Sequence, residues 1–100
     1  MKGLTYQLVN IKELKEKYND TRPDSVLESG LELMVKVRTP FDEKNIILED
    51  GFGSVEAFAK KDVREVLKSK SESGEKVKLK GVLVKSLFED ICFEIDEVLE

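Results

Sequence analysis

Residues 46–60 read Ile-Ile-Leu-Glu-Asp-Gly-Phe-Gly-Ser-Val-Glu-Ala-Phe-Ala-Lys, and this stretch has the pattern of a β-hairpin. Residues 46–48 are a short apolar run, and residues 54–60 alternate between two faces, as strands do. Between them, Asp50-Gly51-Phe52-Gly53 is typical of a tight turn, because glycine tolerates a positive φ angle. The stretch therefore predicts two antiparallel strands joined by a short turn.

Further strands are predicted on both sides of this hairpin. In residues 31–38, aliphatic side chains alternate with Glu32, Met34, Lys36 and Arg38, which indicates a half-buried strand. Residues 76–84 also predict a strand, since Val77 and Leu79 alternate with lysines, and Gly81 within it indicates a bulge or bend. Residues 91–96 form a last alternating segment, in which Cys92 faces away from its two neighbours and is expected to be a small surface or half-buried residue.

One helix is predicted between the hairpin and the strand at residues 76–84. Residues 62–68 have apolar side chains at helical spacing, and Asp62 with Glu65 matches a capping box. The polar residues 69–75 are expected to form a loop.

The first thirty residues predict short elements. Residues 6–11 are consistent with a short strand, and residues 11–18 have the spacing of a helix. A turn follows, after which Asp24 is expected to cap a short helical turn that stops at Gly30.

The predicted order is three strands, one helix and two strands, which is the connectivity of an OB-fold barrel. Closure of such a barrel removes the sheet edges that five short strands would otherwise expose. We therefore predict an all-β, single-domain protein: a five-stranded OB-fold barrel over residues 31–100, with a helix between strands three and four. Residues 1–30 are predicted to be an N-terminal extension packed on it.

Composition argues against an enzyme. The chain has no histidine and one cysteine, so it lacks the usual general base, a disulfide framework and a cysteine-based zinc site. Its adjacent acidic pairs fall in predicted turns, which turn chemistry explains, and the phosphate-binding and metalloprotease motifs are missing. We expect no catalysis, no metal and no cofactor.

The charge pattern is uneven. Charged residues make up 38% of the chain, and this Lys/Glu-rich composition predicts a thermophilic source. Residues 60–85 hold nine basic and four acidic side chains, whereas residues 86–100 hold six acidic and no basic ones. No apolar run approaches the roughly 20 residues that span a bilayer, so a cytoplasmic location is expected.

Three stretches carry a resemblance to a known family. The hairpin at residues 46–60, the segment Leu-Val-Asn-Ile-Lys-Glu-Leu at residues 8–14 and Gly-Glu-Lys-Val-Lys-Leu-Lys-Gly at residues 74–81 resemble OB domains of the replication protein A type. The resemblance covers most of the chain. It implies an archaeal protein of DNA replication or repair that binds single-stranded DNA, or RNA, across strands two and three. The loops between strands one and two and between strands four and five would also take part.

The resemblance also suggests which side chains would touch nucleic acid. Phe58 lies on the outward face of strand three, although the family's stacking aromatic aligns near Lys60, and Phe88 lies in the loop between strands four and five. Bases would stack on these rings, with Phe41 and Phe52 in reserve. The cations expected to neutralise phosphates are Lys36, Arg38, Lys60, Lys78, Lys80 and Lys85.

Other interpretations remain open. Phe58 could instead pack at the bottom of the barrel, Phe88 could plug the core and Phe52 could fold over the barrel end. Glu56 shares the face of Phe58, and the pI near 5.0 is low for a nucleic-acid-binding domain. The main alternative is a protein-interaction OB subunit of a replication or repair assembly, whose outward face is formed by Met34, Phe58 and Val82. A tRNA-anticodon-type OB domain is a third alternative.

Overall fold

The computed structural model describes residues 10–88 and 90–99. Within these ranges the chain forms two helices and five strands, in an order that matches the expected barrel. The elements are α1 (Ile11–Lys17), β1 (Ser25–Val37), β2 (Ile46–Glu49), β3 (Ser54–Phe58), α2 (Lys61–Ser73), β4 (Val77–Lys85) and β5 (Ile91–Val98).

The strands close into a barrel in the order β1-β2-β3-β5-β4. The β3–β5 pair is parallel and the other four pairs are antiparallel. With α2 between β3 and β4, this is the OB-fold topology that the sequence predicts. Closure therefore gives each of the described strands a hydrogen-bonded neighbour on both sides.

The core follows from the period-two pattern of the strands. Alternate residues of β1 and β4 are buried, and Phe93 of β5 is fully buried at the centre of the barrel. Ile11 and Leu14 of α1 and Leu67 of α2 join the same apolar cluster. Because α1 is tied to the turn before β3 and α2 follows the end of β3, the two helices cover opposite ends of the barrel.

Gly81 allows a close approach between β4 and β5. A Cβ atom at this position would collide with the backbone carbonyl oxygen of Glu94. The register of the β4–β5 pair also shifts between Lys80 and Gly81, which confirms the predicted bulge.

The expectation for residues 24–30 was wrong. These residues do not form a capped turn, since β1 begins at Ser25 and pairs with the end of β4. Two register shifts interrupt this pairing, and Gly30 has a φ of 66° in the second. The irregular ladder explains why no period-two signal marks the segment. The first strand thus starts within the range that the sequence assigns to the extension.

The second helix is also longer than predicted. It continues to Ser73 and ends at Gly74, whose φ of 72° is the left-handed conformation that glycine favours at helix ends. Ser71 is buried, and its hydroxyl donates to the carbonyl of Lys68, so a polar run does not mark a loop here. The N-cap is Lys60, without a side-chain hydrogen bond, rather than Asp62.

Of the two elements predicted before residue 19, the helix is confirmed and the strand is not observed in the residues described. The helix predicted from residue 11 is confirmed as α1, with the Asn10 side chain accepting from the backbone N–H of Glu13. The strand predicted at residues 6–11 lies mostly outside the described residues, and Ile11 itself begins the helix.

Candidate nucleic-acid interface

The two aromatic rings expected to stack on bases are both exposed. Phe58 is the last residue of β3 and is 54% exposed on the outer face of the barrel. Phe88 lies in the loop after β4 and is 87% exposed, with its backbone N–H donating to the hydroxyl of Ser86. Neither ring packs in the core, so both are available to a ligand.

The two rings do not sit side by side. In the parallel β3–β5 pair, Phe58 lies opposite Glu94, well along β5, whereas Phe88 precedes the start of that strand. They therefore lie toward opposite ends of the β3–β5 pair. A single strand that touched both would have to run along this part of the wall.

Phe58 borders a shallow hollow on the outer face, which we call the Phe58 depression. It encloses about 360 Å³, and its apolar side chains come from β1, β3, β4 and β5. Asp24 lies at one side of it. The depression is defined by Val26, Phe58, Val82, Val84, Cys92 and Glu94.

Cys92 lines this depression and is only 3% exposed, so it is more buried than the sequence suggested. Its outward direction follows from the strand alternation, and its burial follows from the apolar neighbours around it. Burial raises the pKa of the Cys92 thiol above its ordinary value of 9.0, and the carboxylates of Glu56, Asp90 and Glu94 raise the pKa further. The thiol is therefore protonated and unreactive at neutral pH.

Several predicted phosphate contacts face carboxylates instead. Arg38 Nε lies 3.1 Å from Glu49 Oε1, and Lys78 Nζ lies 3.3 Å from Glu32 Oε1. Lys80 is half-buried and stands in register with two acidic residues, Glu32 on β1 and Glu97 on β5. The positive charge of β1 and β4 is therefore largely balanced within the barrel wall.

Lys85 has a structural role. It is 4% exposed, and its ammonium group donates to the backbone carbonyls of Tyr18, Asn19 and Thr21 at 3.5, 2.8 and 2.8 Å. These three bonds use all the donors that a lysine has. Lys85 therefore has no donor left for a phosphate, contrary to the prediction, and instead holds the end of α1 and the following turn against β4.

Two of the predicted cations stay exposed without such partners. Among the described residues, Lys36 on β1 and Lys60 at the start of α2 have no carboxylate oxygen within 4.0 Å; Lys36 stands in register with Glu49, whose carboxylate binds Arg38 instead. Lys60 lies two residues after Phe58, which places a cation next to that ring along the chain.

The two other aromatic candidates, Phe41 and Phe52, differ in their exposure. Phe41 is half-buried and packs against the core, whereas Phe52 is 67% exposed at the tip of the β2–β3 turn. Phe52 lies beside Lys12 and Lys15 of α1. This cationic neighbourhood was missed by the sequence interpretation, although the three-residue spacing of Lys12 and Lys15 places both on one face of α1.

The face that the sequence predicts for a protein partner is formed by partly different residues. Phe58 and Val82 line the same depression, but Met34 lies opposite Lys78 in the β1–β4 ladder and does not line it. Val26 and Val84 take its place, because the unpredicted start of β1 pairs with the end of β4.

Two kinds of feature are missing from residues 10–88 and 90–99. No group of three or more acidic, cysteine or histidine side chains is arranged to hold a metal ion. None of the helices in that part of the chain has the length and apolar content to span a membrane.

Comparison of the chain with protein-family models and with curated proteins finds no match. The barrel and the side chains on its surface are therefore the basis for inferring a function.

Proposed function

We propose that this OB-fold barrel is a non-catalytic module that binds single-stranded nucleic acid, most simply single-stranded DNA. The observation that carries the proposal is the exposure of Phe58 and Phe88 on the outer surface of the barrel. Proteins that bind single strands stack bases on exposed aromatic rings of this kind, and each stacked base contributes about 1–3 kcal/mol.

The phosphate contacts in this proposal come from the cations that have no carboxylate partner among the described residues. Lys60 follows Phe58 and Lys36 is exposed on β1. Lys78 and Arg38 contribute less, because a phosphate would have to displace Glu32 or Glu49. With few free cations and a net charge of −4, we expect modest affinity with a shallow salt dependence.

The test is fluorescence anisotropy of a labelled oligo-dT of about 15 nucleotides, a length within the usual range for OB folds. Phe88→Ala should weaken binding about 5- to 150-fold, which corresponds to one lost stack. Leu87→Ala is the matched control, because Leu87 is a neighbouring loop residue that is 71% exposed but not aromatic. Phe58→Ala is the second test variant.

The proposal fails if wild-type protein does not bind the oligonucleotide at low salt. It also fails if Phe88→Ala and Phe58→Ala both bind as Leu87→Ala does, since stacking would then contribute nothing.

A second function is favoured by one specific observation. The ring of Phe58 borders a depression lined by valines and Cys92, and the carboxylates of Asp24 and Glu94 are the free charged groups in its lining. This chemistry matches a protein segment with an apolar anchor between basic side chains. In this interpretation the barrel is the protein-interaction subunit of a larger assembly.

Selection of random peptides on the immobilised protein distinguishes this second function. Peptides that bind the wild-type protein but do not bind the Phe58→Ala variant should carry lysine or arginine next to an apolar residue. Val66→Ala is the control, since Val66 is a comparably exposed apolar residue on α2. Selected peptides without basic residues, or binding that Phe58→Ala leaves unchanged, would exclude the depression as the docking site.

A further inference from the structure

A second surface combines an exposed ring with ammonium groups, and it lies between α1 and the β2–β3 turn. We call it the α1 groove. It encloses about 460 Å³, and none of its residues is among those predicted from the sequence to contact phosphates. The side chains that define it are Lys12, Lys15, Glu16, Asn19, Phe52 and Ser54.

The α1 groove is held in shape by one carboxylate. Asp50 Oδ2 accepts the backbone N–H of Ile11 at 2.7 Å, which ties the first residue of α1 to the turn. Asp50 Oδ1 accepts the N–H groups of Phe52 and Gly53 at 2.9 and 3.1 Å. The first residue of α1 and the backbone of Phe52 are thus bonded to the same side chain, so the spacing between the helix and the turn is set before a ligand arrives.

Gly53 shows how closely the β2–β3 turn approaches α1. A Cβ atom on this residue would lie 3.3 Å from the backbone nitrogen of Lys12, tighter than an ordinary contact. The small residue therefore lets the turn approach α1, and this approach places Phe52 next to the helix.

The chemistry of the α1 groove suits a nucleotide. The Phe52 ring is 67% exposed and offers a face to a base. Lys12 has no carboxylate oxygen within 4.0 Å among the described residues. Lys15 Nζ donates to the carbonyl of Ser54 at 3.1 Å, which leaves two of its three donors for a phosphate. Glu16 is the one carboxylate that lines the groove in the described part of the chain, against these two ammonium groups.

The groove continues into a second hollow, which favours a strand over a single nucleotide. That hollow encloses about 310 Å³ and shares Lys15, Asn19 and Ser54 with the α1 groove. It runs past Ile47 and Glu56 to Asp90, at the end of the loop that holds Phe88, so it is lined by two carboxylates and by the ammonium group of Lys15. The path therefore leads from one exposed phenylalanine toward another.

We infer that single-stranded nucleic acid lies along the α1 groove, with a base stacked on Phe52 and phosphates bound by Lys12 and Lys15. This inference rests on the proposed function and deepens it, since it adds a subsite outside the barrel strands. The exposed Asn19 carboxamide lies where it can bond a base edge or the backbone.

The experiment uses the labelled oligo-dT and measures affinity at several salt concentrations. Phe52→Ala should weaken binding about 5- to 150-fold, the effect of one lost stack. The double variant Lys12→Gln with Lys15→Gln should reduce the slope of log K against log salt by about 1.4, at roughly 0.7 for each phosphate contact on a single strand. Lys17→Gln is the control for the change per lysine, because it removes one positive charge from α1 at a position that does not line the groove and should leave the slope unchanged.

The outcomes separate the two proposals. The groove inference is overturned if wild type binds, Phe52→Ala has the affinity of Leu87→Ala, and the double lysine variant has the salt slope of Lys17→Gln. The proposed function still stands in that case. If wild type does not bind at low salt, both are overturned. All these side chains are exposed, and circular dichroism of each variant checks that the fold is kept.

Discussion

The α1 groove and the Phe58 depression each present an exposed phenylalanine, yet their chemistry differs. Two ammonium groups lie beside Phe52, whereas valines, Cys92 and Glu94 lie beside Phe58. An exposed aromatic ring is thus an incomplete signal of function, because the side chains around it decide which ligand it suits. Ionic and stacking contacts can act together in the groove, whereas the depression offers mainly an apolar contact.

Lys85 connects the two surfaces, and we expect its replacement to have the largest effect on stability. It lines the depression, and it bonds the carbonyl of Asn19, whose side chain lines the groove. Lys85→Met should lower the free energy of unfolding by about 3 kcal/mol, because carbonyls at the end of α1 lose their donor. Lys78→Met is the control, since its exposed ion pair with Glu32 contributes about 0–1 kcal/mol.

Urea unfolding of both variants measures this difference. Equal midpoints for Lys85→Met and Lys78→Met would contradict the structural role assigned to Lys85.

Asp50 offers a way to disturb one surface alone. Asp50→Ala removes the acceptor of three backbone N–H groups and should cost about 2 kcal/mol of stability. It should also weaken oligonucleotide binding as Phe52→Ala does, because the turn that carries Phe52 and the start of α1 lose their common anchor. Asp42→Ala is the control, as Asp42 accepts one local N–H, from Lys44, in an exposed loop.

Urea midpoints and anisotropy are measured on both aspartate variants. Retention of full affinity by a destabilised Asp50→Ala would show that the groove geometry does not matter for binding.

The smallest expected effect concerns Cys92 at the floor of the depression. Its folded-state pKa is raised above the ordinary 9.0, so the folded protein holds the thiol proton more tightly than the unfolded chain does. The corresponding stability is fully present below about pH 9 and is lost as the pH rises from there through the folded pKa. The unfolding free energy of Cys92→Ala should therefore fall less between pH 8 and pH 10 than that of wild type.

Parallel pH dependences of the two proteins over that interval would contradict the burial of a protonated thiol. Alkylation gives a second readout: iodoacetamide should modify Cys92 far more slowly in the folded protein than in urea.

Much of the barrel could be predicted from the sequence because its signals are local. The alternation of residues 31–37 and 77–84 marks core-facing strands, and the hairpin turn is marked by its glycines. The start of β1 could not be predicted, because its pairing with residues 83–85 is interrupted by register shifts that break the alternation.

The site was predicted only in part, for a related reason. The outward direction of Phe58 follows from strand alternation and agrees with its exposure. The burial of Lys85 depends on carbonyls more than 60 residues away, and the groove depends on contact between Phe52 and α1. Such long-range contacts leave no local pattern in the chain.

The most direct test of nucleic-acid binding is a two-dimensional NMR titration of ¹⁵N-labelled protein with oligo-dT at low salt. We expect the backbone amide signals of Lys12, Lys15 and Phe52 to shift together with those of Phe58 and Phe88, while the signals of α2 beyond its first turn stay in place. A spectrum that does not change with excess oligonucleotide would contradict the proposed function.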